Sequence, residues 1–184
     1  MKRGRIIIIT GSPGTGKTTI ATIIAKESDF AKSVHMHTDD FYHYLSKGAI
    51  PPHLPESQEQ NVVVVEAFLE AAKRYARGRY DVIVDGIVGP WFLTPWKEAA
   101  QEGYEIHYII LRADKEETMK RAIERTKLSR KTNIELVETM WKQFVNLGNY
   151  EPFVINTTNC SIETSVATIK KHIKEEKNLL YGTI

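Results

Sequence analysis

The chain has 184 residues, enough for one domain with a substantial core and no covalent staple. Its 42% hydrophobic and 26% charged residues exclude a disordered chain, and a net charge of +2 is too small to argue for nucleic acid or a membrane surface. A lone cysteine, Cys160, excludes an internal disulfide and suits a reducing cytoplasm, and no apolar stretch reaches the ~20 residues that cross a bilayer.

Arg5-Ile6-Ile7-Ile8-Ile9-Thr10 is a β-branched apolar run of the kind buried on both faces of a sheet. Lys2, Arg3 and Arg5 imitate the start of a signal peptide, but the apolar run is too short and flows straight into a glycine loop. Gly11-Ser12-Pro13-Gly14-Thr15-Gly16-Lys17-Thr18 matches Gly-x-x-x-x-Gly-Lys-[Ser/Thr] without a mismatch, and Ile20, Ala21, Ile23, Ile24 and Ala25 predict an amphipathic helix behind it. Ser33–Thr38 predicts a second strand ending at Asp39-Asp40, and residues 41–56, rich in Pro, Gly, His and aromatics, predict a loop or short-helix excursion. Ser57-Gln58-Glu59-Gln60 predicts a capping box for a helix with Val65, Phe68, Leu69, Ala72 and Ala76 on one face, stopping at Gly78, although Val62–Val65 would suit a strand.

Tyr80–Gly86 predicts the third strand. Thr94-Pro95 reads as an N-cap with proline at the first helical position, and Gly103 as the end of that helix. Ile106–Leu111 is the fourth predicted strand, Asp114-x-x-Glu117 and Thr132-x-x-Glu135 cap two helices, and the second of these runs to Gly148. Phe153–Thr157 predicts the fifth strand, and Ser161 starts the last helix. Five β-runs separated by helices predict an α/β fold with a parallel sheet covered on both faces, its ligand lying outside the carboxyl ends of the strands. Thr10–Thr18, Asp39-Asp40, Asp85-Gly86, Arg112 and Thr157–Cys160 all fall at those ends.

The residue types at that edge carry phosphate chemistry. Glycines let backbone N–H groups curl around phosphate oxygens, and the helix opening near Lys17 adds its positive end. Lys17 can reach the β- and γ-phosphates of ATP as a point charge, and Thr18 can ligate Mg²⁺ with Asp85, which closes Val82-Ile83-Val84 as a Walker-B carboxylate does, against the alternative of an acidic turn residue before Gly86. Asp39, supported by Asp40, is placed to deprotonate an acceptor hydroxyl; an aspartate there also fits a helix N-cap, and both roles can hold. Arg121 and Arg125, spaced i, i+4 and followed by Lys127, Arg130 and Lys131, are read as a lid over ATP against the alternative of a solvated basic face. His37, Phe41, Tyr42 and Gln60 are candidate acceptor residues, and Trp91 is either a stacking wall for the acceptor or a core residue. His35 and His37 share a strand face, but the sequence offers no Cys or third close His for a zinc site. Thr157–Cys160, with Thr158 and Asn159 at its centre, borders the adenine, and Thr19 completes the nucleotide-binding set.

This order of phosphate loop, Asp39-Asp40, Asp85-Gly86, Leu111-Arg112 and Arg121-x-x-x-Arg125 resembles the small P-loop kinases, among them shikimate and gluconate kinases, chloramphenicol phosphotransferase and nucleoside monophosphate kinases. His37–Tyr42 with Gly48–Pro55 and Gln60-Asn61 is similar to a bacterial branch labelled cytidylate kinase-like or antibiotic-resistance-like, and Asp39–Tyr42 resembles uridine kinase-type enzymes, whose first aspartate is the base. The resemblance implies a P-loop NTPase fold, a three-layer α/β/α sandwich around a five-stranded parallel sheet. It implies one domain over 1–184, with an acceptor-binding excursion at about 41–78 and a lid at about 121–135.

The departures bear on the acceptor. Nucleotide and shikimate kinases grip acceptor anions with arginine, whereas residues 39–72 contain Lys47 as their one basic residue besides histidine. The expected activity is therefore transfer of the γ-phosphate of ATP, with Mg²⁺, to a hydroxyl of a small neutral or weakly charged molecule such as a sugar, nucleoside or antibiotic. The alternatives are a cytidylate kinase-like enzyme and, from another class, a nucleotide-binding regulatory module or simple ATPase. The expected partner is a small-molecule acceptor rather than nucleic acid or membrane, for a cytoplasmic monomer or homodimer.

Overall fold

The computed structural model describes residues 3–124 and 130–181. Strands β1 (Ile6–Thr10), β2 (Ser33–His37), β3 (Asp81–Asp85), β4 (Ile106–Arg112) and β5 (Val154–Asn156) pair in parallel in the order β2-β3-β1-β4-β5. β1 is central, and all four of its isoleucines are fully buried because helices cover both faces. Side chains alternate across a strand, so Ile6 and Ile8 join one core with Phe68, Trp96 and Tyr108. Ile7 and Ile9 join the other, with Ile20, Ile24 and Ile169.

Helices α1 (Lys17–Lys26) and α7 (Ile162–Lys174) supply the second core, and α3 (Gln58–Arg77) and α4 (Thr94–Gln101) the first. Between β2 and α3 the chain makes α2 (Thr38–His43) and a loop, and between β4 and β5 it makes α5 (Lys115–Glu124) and α6 (Arg130–Gln143). The expected three-layer parallel α/β fold is the one observed.

Local expectations fared unevenly. Asp114 Oδ1 accepts the Glu117 N–H at 2.8 Å and Ser161 Oγ accepts the Thr164 N–H at 3.1 Å, as their caps require. The capping box at Ser57 does not form: its hydroxyl donates to the carbonyls of Leu54 and Pro52, at 2.6 and 2.9 Å, and so ties down the preceding turn instead. Thr94 is the first residue of α4 rather than its cap, and α6 begins at Arg130, two residues ahead of Thr132, and ends at Gln143. Val62–Val65 are helical: Val64 and Val65 face the core and Val62 and Val63 face outward, so the stripe with Phe68 and Leu69 overrides β-propensity.

Candidate active site

At the carboxyl end of β1 the chain turns through the glycine loop into α1. Gly16, the residue preceding α1, has φ +89°, and Gly14 has φ +85°, a region that L side chains adopt only under strain. The Thr15 hydroxyl and Lys17 Nζ both donate to the Ser12 carbonyl, each at 2.9 Å, which fixes the loop's curl from inside. A β-carbon on Gly14 would lie 2.9 Å from the Thr118 carbonyl of α5, and one on Gly16 would touch Ile162 of α7, so these two helices flank the loop. Ser12 Oγ is buried with no partner among the described residues, a polar atom left over in the phosphate cradle.

Asp85 ends β3 beside this loop and is 3% exposed. Register places His37 opposite Asp85 and His35 two residues earlier on the same face of β2. His35 Nε2 and His37 Nδ1 both approach Asp85 Oδ2, at 3.3 and 3.2 Å, and their rings lie 4.4 Å apart. Burial opposes ionisation of Asp85, but hydrogen bonds from His35 and Thr18 and the charges of His37 and Lys17 outweigh it and hold its carboxyl below the usual range. An ionised carboxylate beside the Thr18 hydroxyl is a pair of hard oxygen donors, which fits Mg²⁺. The third ligand missing beside the histidines in the sequence is Asp85 itself, and the three ligand atoms lie within 4.8 Å of one another.

Asp39 is carried to the same place by a close approach. A β-carbon on Gly86 would fall 1.8 Å from Thr38 Oγ1, so glycine there lets the start of α2 rest against the end of β3. Asp39 and Asp40 are exposed in the first turn of α2, where the helix dipole favours a carboxylate, and neither caps it, since His37 is the N-cap. A cleft of about 1550 Å³ runs from Gly14, Thr18 and Thr19 past Asp39 and Tyr42 to Trp91. Asp40 is absent from its walls. Burial, and after it the charge of Asp39, push the Tyr42 phenol up to about 12.

The remaining candidates divide. Tyr42 and Trp91 line the cleft. Phe41 instead packs edge-on against Phe68, with ring centroids 4.9 Å apart, and His37 braces Asp85. Gln60 clamps the excursion loop, accepting the Ile50 N–H and donating to the Ile50 carbonyl, both at 2.8 Å. Arg112 forms a two-pronged pair with Glu151 at 2.9 and 2.8 Å, which ties the end of β4 to the turn ahead of β5. Arg121 Nε donates to Glu117 at 2.8 Å along α5, and Arg125 lies outside the described residues. Thr158 Oγ1 accepts the Asp114 N–H at 2.8 Å, joining the loop after β5 to the start of α5, and Asn159 turns that loop with φ +54°. Sequence reasoning missed the apolar wall of the cleft, Val65, Phe68, Val88 and Trp96, because an interior wall and a packed core read alike along a chain.

Comparison with known proteins agrees with this architecture. A family model described as AAA domain matches residues 7–142. No curated protein matched the sequence. Among solved structures, a sugar kinase from Janibacter sp. HTCC2649 is similar at 18% identity and TM-score 0.66, over 93% of this chain and 95% of that one. The tunicamycin resistance protein of Deinococcus radiodurans is similar at 18% identity and TM-score 0.64, over 93% and 96%. The Mycobacterium tuberculosis APS kinase in complex with AMPPNP and APS is similar at 15% identity and TM-score 0.64, over 95% and 99%.

Proposed function

The chain belongs to the AAA domain family, and from that premise we propose that it is an ATP-dependent kinase acting on a hydroxyl of a small neutral or weakly charged molecule. One observation carries the reading: the mouth of the phosphate loop and Asp39 line a single cleft, and Thr18 of that lining is hydrogen-bonded to the ionised Asp85. A nucleotide switch has no need of an exposed carboxylate facing its phosphate loop. The fold shared with a sugar kinase and an APS kinase supports the same class.

In this reading the loop amides, Lys17 and the amino end of α1 hold the triphosphate, and Thr18 and Asp85 hold Mg²⁺. The metal, when bound, neutralises phosphate charge. Asp39 orients the acceptor hydroxyl and takes its proton as the alcohol oxygen bonds to the γ-phosphorus. The bond from that phosphorus to the β,γ-bridging oxygen breaks, and ADP leaves with the electron pair. His35 and His37 keep Asp85 oriented. Arg121, with Arg125, serves as the lid that shields the transferring phosphoryl from water; for Arg121 this requires release from Glu117.

The test is ADP release with ATP, Mg²⁺ and a panel of sugars, nucleosides and nucleotides, with the phosphorylated product identified by mass. Asp39→Asn is expected to lower kcat by roughly 10²-fold or more while the affinity for ATP holds within about a factor of two. Faster turnover of CMP than of any neutral alcohol refutes the acceptor class. ATP turnover indifferent to Asp39→Asn and to every acceptor leaves a simple ATPase.

A further inference from the structure

Much of the lining of the cleft is apolar: Val65 and Phe68 of α3, Val88 and Phe92 after β3, Trp96 of α4 and Met140 of α6. Among the described lining residues there is no lysine or arginine, and the carboxylates are Asp39 and Glu135. An anionic acceptor would have to shed water against two negative charges with no described lysine or arginine of the lining to meet it, only His43 and His53.

Trp91 stands at this wall, 46% exposed, and is not free to swing. A β-carbon on Gly89 would lie 2.3 Å from the indole, so glycine makes the seat on which the ring lies. Phe144 packs against it at 61°, with ring centroids 5.5 Å apart. The backbone beneath is held as well: the Val88 N–H donates to Thr10 Oγ1 at 2.9 Å, and the Val88 carbonyl accepts from the Tyr108 hydroxyl at 2.8 Å. A large aromatic that is both exposed and held rigid gives stacking area at little entropic cost.

Two of the lining residues carry a buried polar atom. Asn61 gives its amide hydrogens to Ser57 Oγ and the Pro52 carbonyl, both at 2.8 Å, and its Oδ1 has no partner among the described residues. Trp96 Nε1 is likewise buried and unpartnered. Both atoms are fully buried, so a ligand there meets an apolar wall rather than a donor or an acceptor.

We propose that the phosphoryl acceptor is an uncharged alcohol bearing an aromatic or other flat apolar ring, which stacks on Trp91 and fills the wall from Val65 to Trp96 while its hydroxyl meets Asp39. This rests on the kinase reading above and narrows it: the ring is the specificity element, and Trp91 its determinant.

Matched pairs test it: D-glucose against phenyl β-D-glucoside, and D-ribose against cytidine, with gluconate and CMP as anionic counterparts. The expected result is kcat/KM at least about 10-fold higher for the ring-bearing member of each pair and at least about 10-fold lower for the anions. Trp91→Ala is expected to raise KM for the ring-bearing acceptors by about 10-fold, more than it lowers kcat, with Trp91→Phe restoring most of the loss and ATP affinity unchanged. Preference for the ring-free or anionic members, or a KM indifferent to Trp91→Ala, overturns the proposal. Equilibrium binding of phenyl β-D-glucoside and cytidine beside AMPPNP separates it from its premise. Binding that depends on Trp91 without any phosphorylated product supports the ring site and refutes the kinase. Product formed from glucose or ribose without any gain from the ring refutes the ring site and keeps the kinase.

Discussion

At Gly86 the molecule has no room for a single methyl group, because a β-carbon would sit 1.8 Å from the Thr38 hydroxyl. Gly86→Ala is therefore expected to push α2 away from β3, costing about 1–3 kcal/mol of stability and displacing Asp39. A thermal melt reads the first effect and a loss of product formation at unchanged ATP affinity the second. Glu151 makes a different prediction. The Arg112 hydrogen bonds, and after them the Leu147 N–H, hold its carboxyl down to about 2. A depressed folded-state value gives stability that is present above the ordinary carboxylate value of 4.5 and lost as the pH falls through about 2. The pair is partly exposed, so Glu151→Gln is expected to cost only about 1 kcal/mol at pH 7, a fall of about 2–4 °C in Tm, with the gap to wild type closing between pH 4.5 and 2. Arg112 also shows what a sequence hides at this scale. Its place at a strand end suited a site residue, but its partner lies 39 residues onward, and only the fold brings them together.

Among elements, β1 and β3 are locked at their amino ends by Arg5, whose Nε and Nη2 meet the two oxygens of Asp81 at 2.9 and 3.0 Å. The Asp81 side chain is fully buried. Arg5→Met strands that carboxylate without its charge partner and is expected to cost about 3–5 kcal/mol, read as a lower midpoint in urea denaturation. Strands and helices were legible where period and punctuation agreed, as in β1 with its glycine loop and in α7 behind Ser161. They were misread where one local signal stood for two geometries. The Ser57 hydroxyl caps a preceding turn as readily as a helix. The four valines from Val62 to Val65 favour a strand by themselves, and the helix expected there forms because Phe68 and Leu69 set the face. Phe41 was read as a recognition residue from its place beside two aspartates, yet one residue of helical rotation turns it onto Phe68 while Tyr42 reaches the cleft.

For the whole molecule, saturating ATP and Mg²⁺ are expected to act as a stabiliser. At about 100 times Kd the gain is roughly 2.7 kcal/mol, or about 5–10 °C in Tm, and Lys17→Ala should abolish the shift while leaving the unliganded Tm near wild type. The fold class and the phosphate loop were readable from five apolar runs and one motif. The spatial order of the strands was not, and with it went the pairing of His35 and His37 with Asp85, since that depends on β2 lying next to β3 in register. The order has a further meaning. β2 is the outermost strand on its side and only half-buried, whereas β1 and β3 lie wholly inside. The residue that would take the proton of the alcohol thus rides on a peripheral rib, and those that grip the nucleotide are rooted in the keel. Transplanting residues 38–56 together with the turn at 89–92 from a kinase of another specificity should retune what is phosphorylated without disturbing what supplies the phosphate.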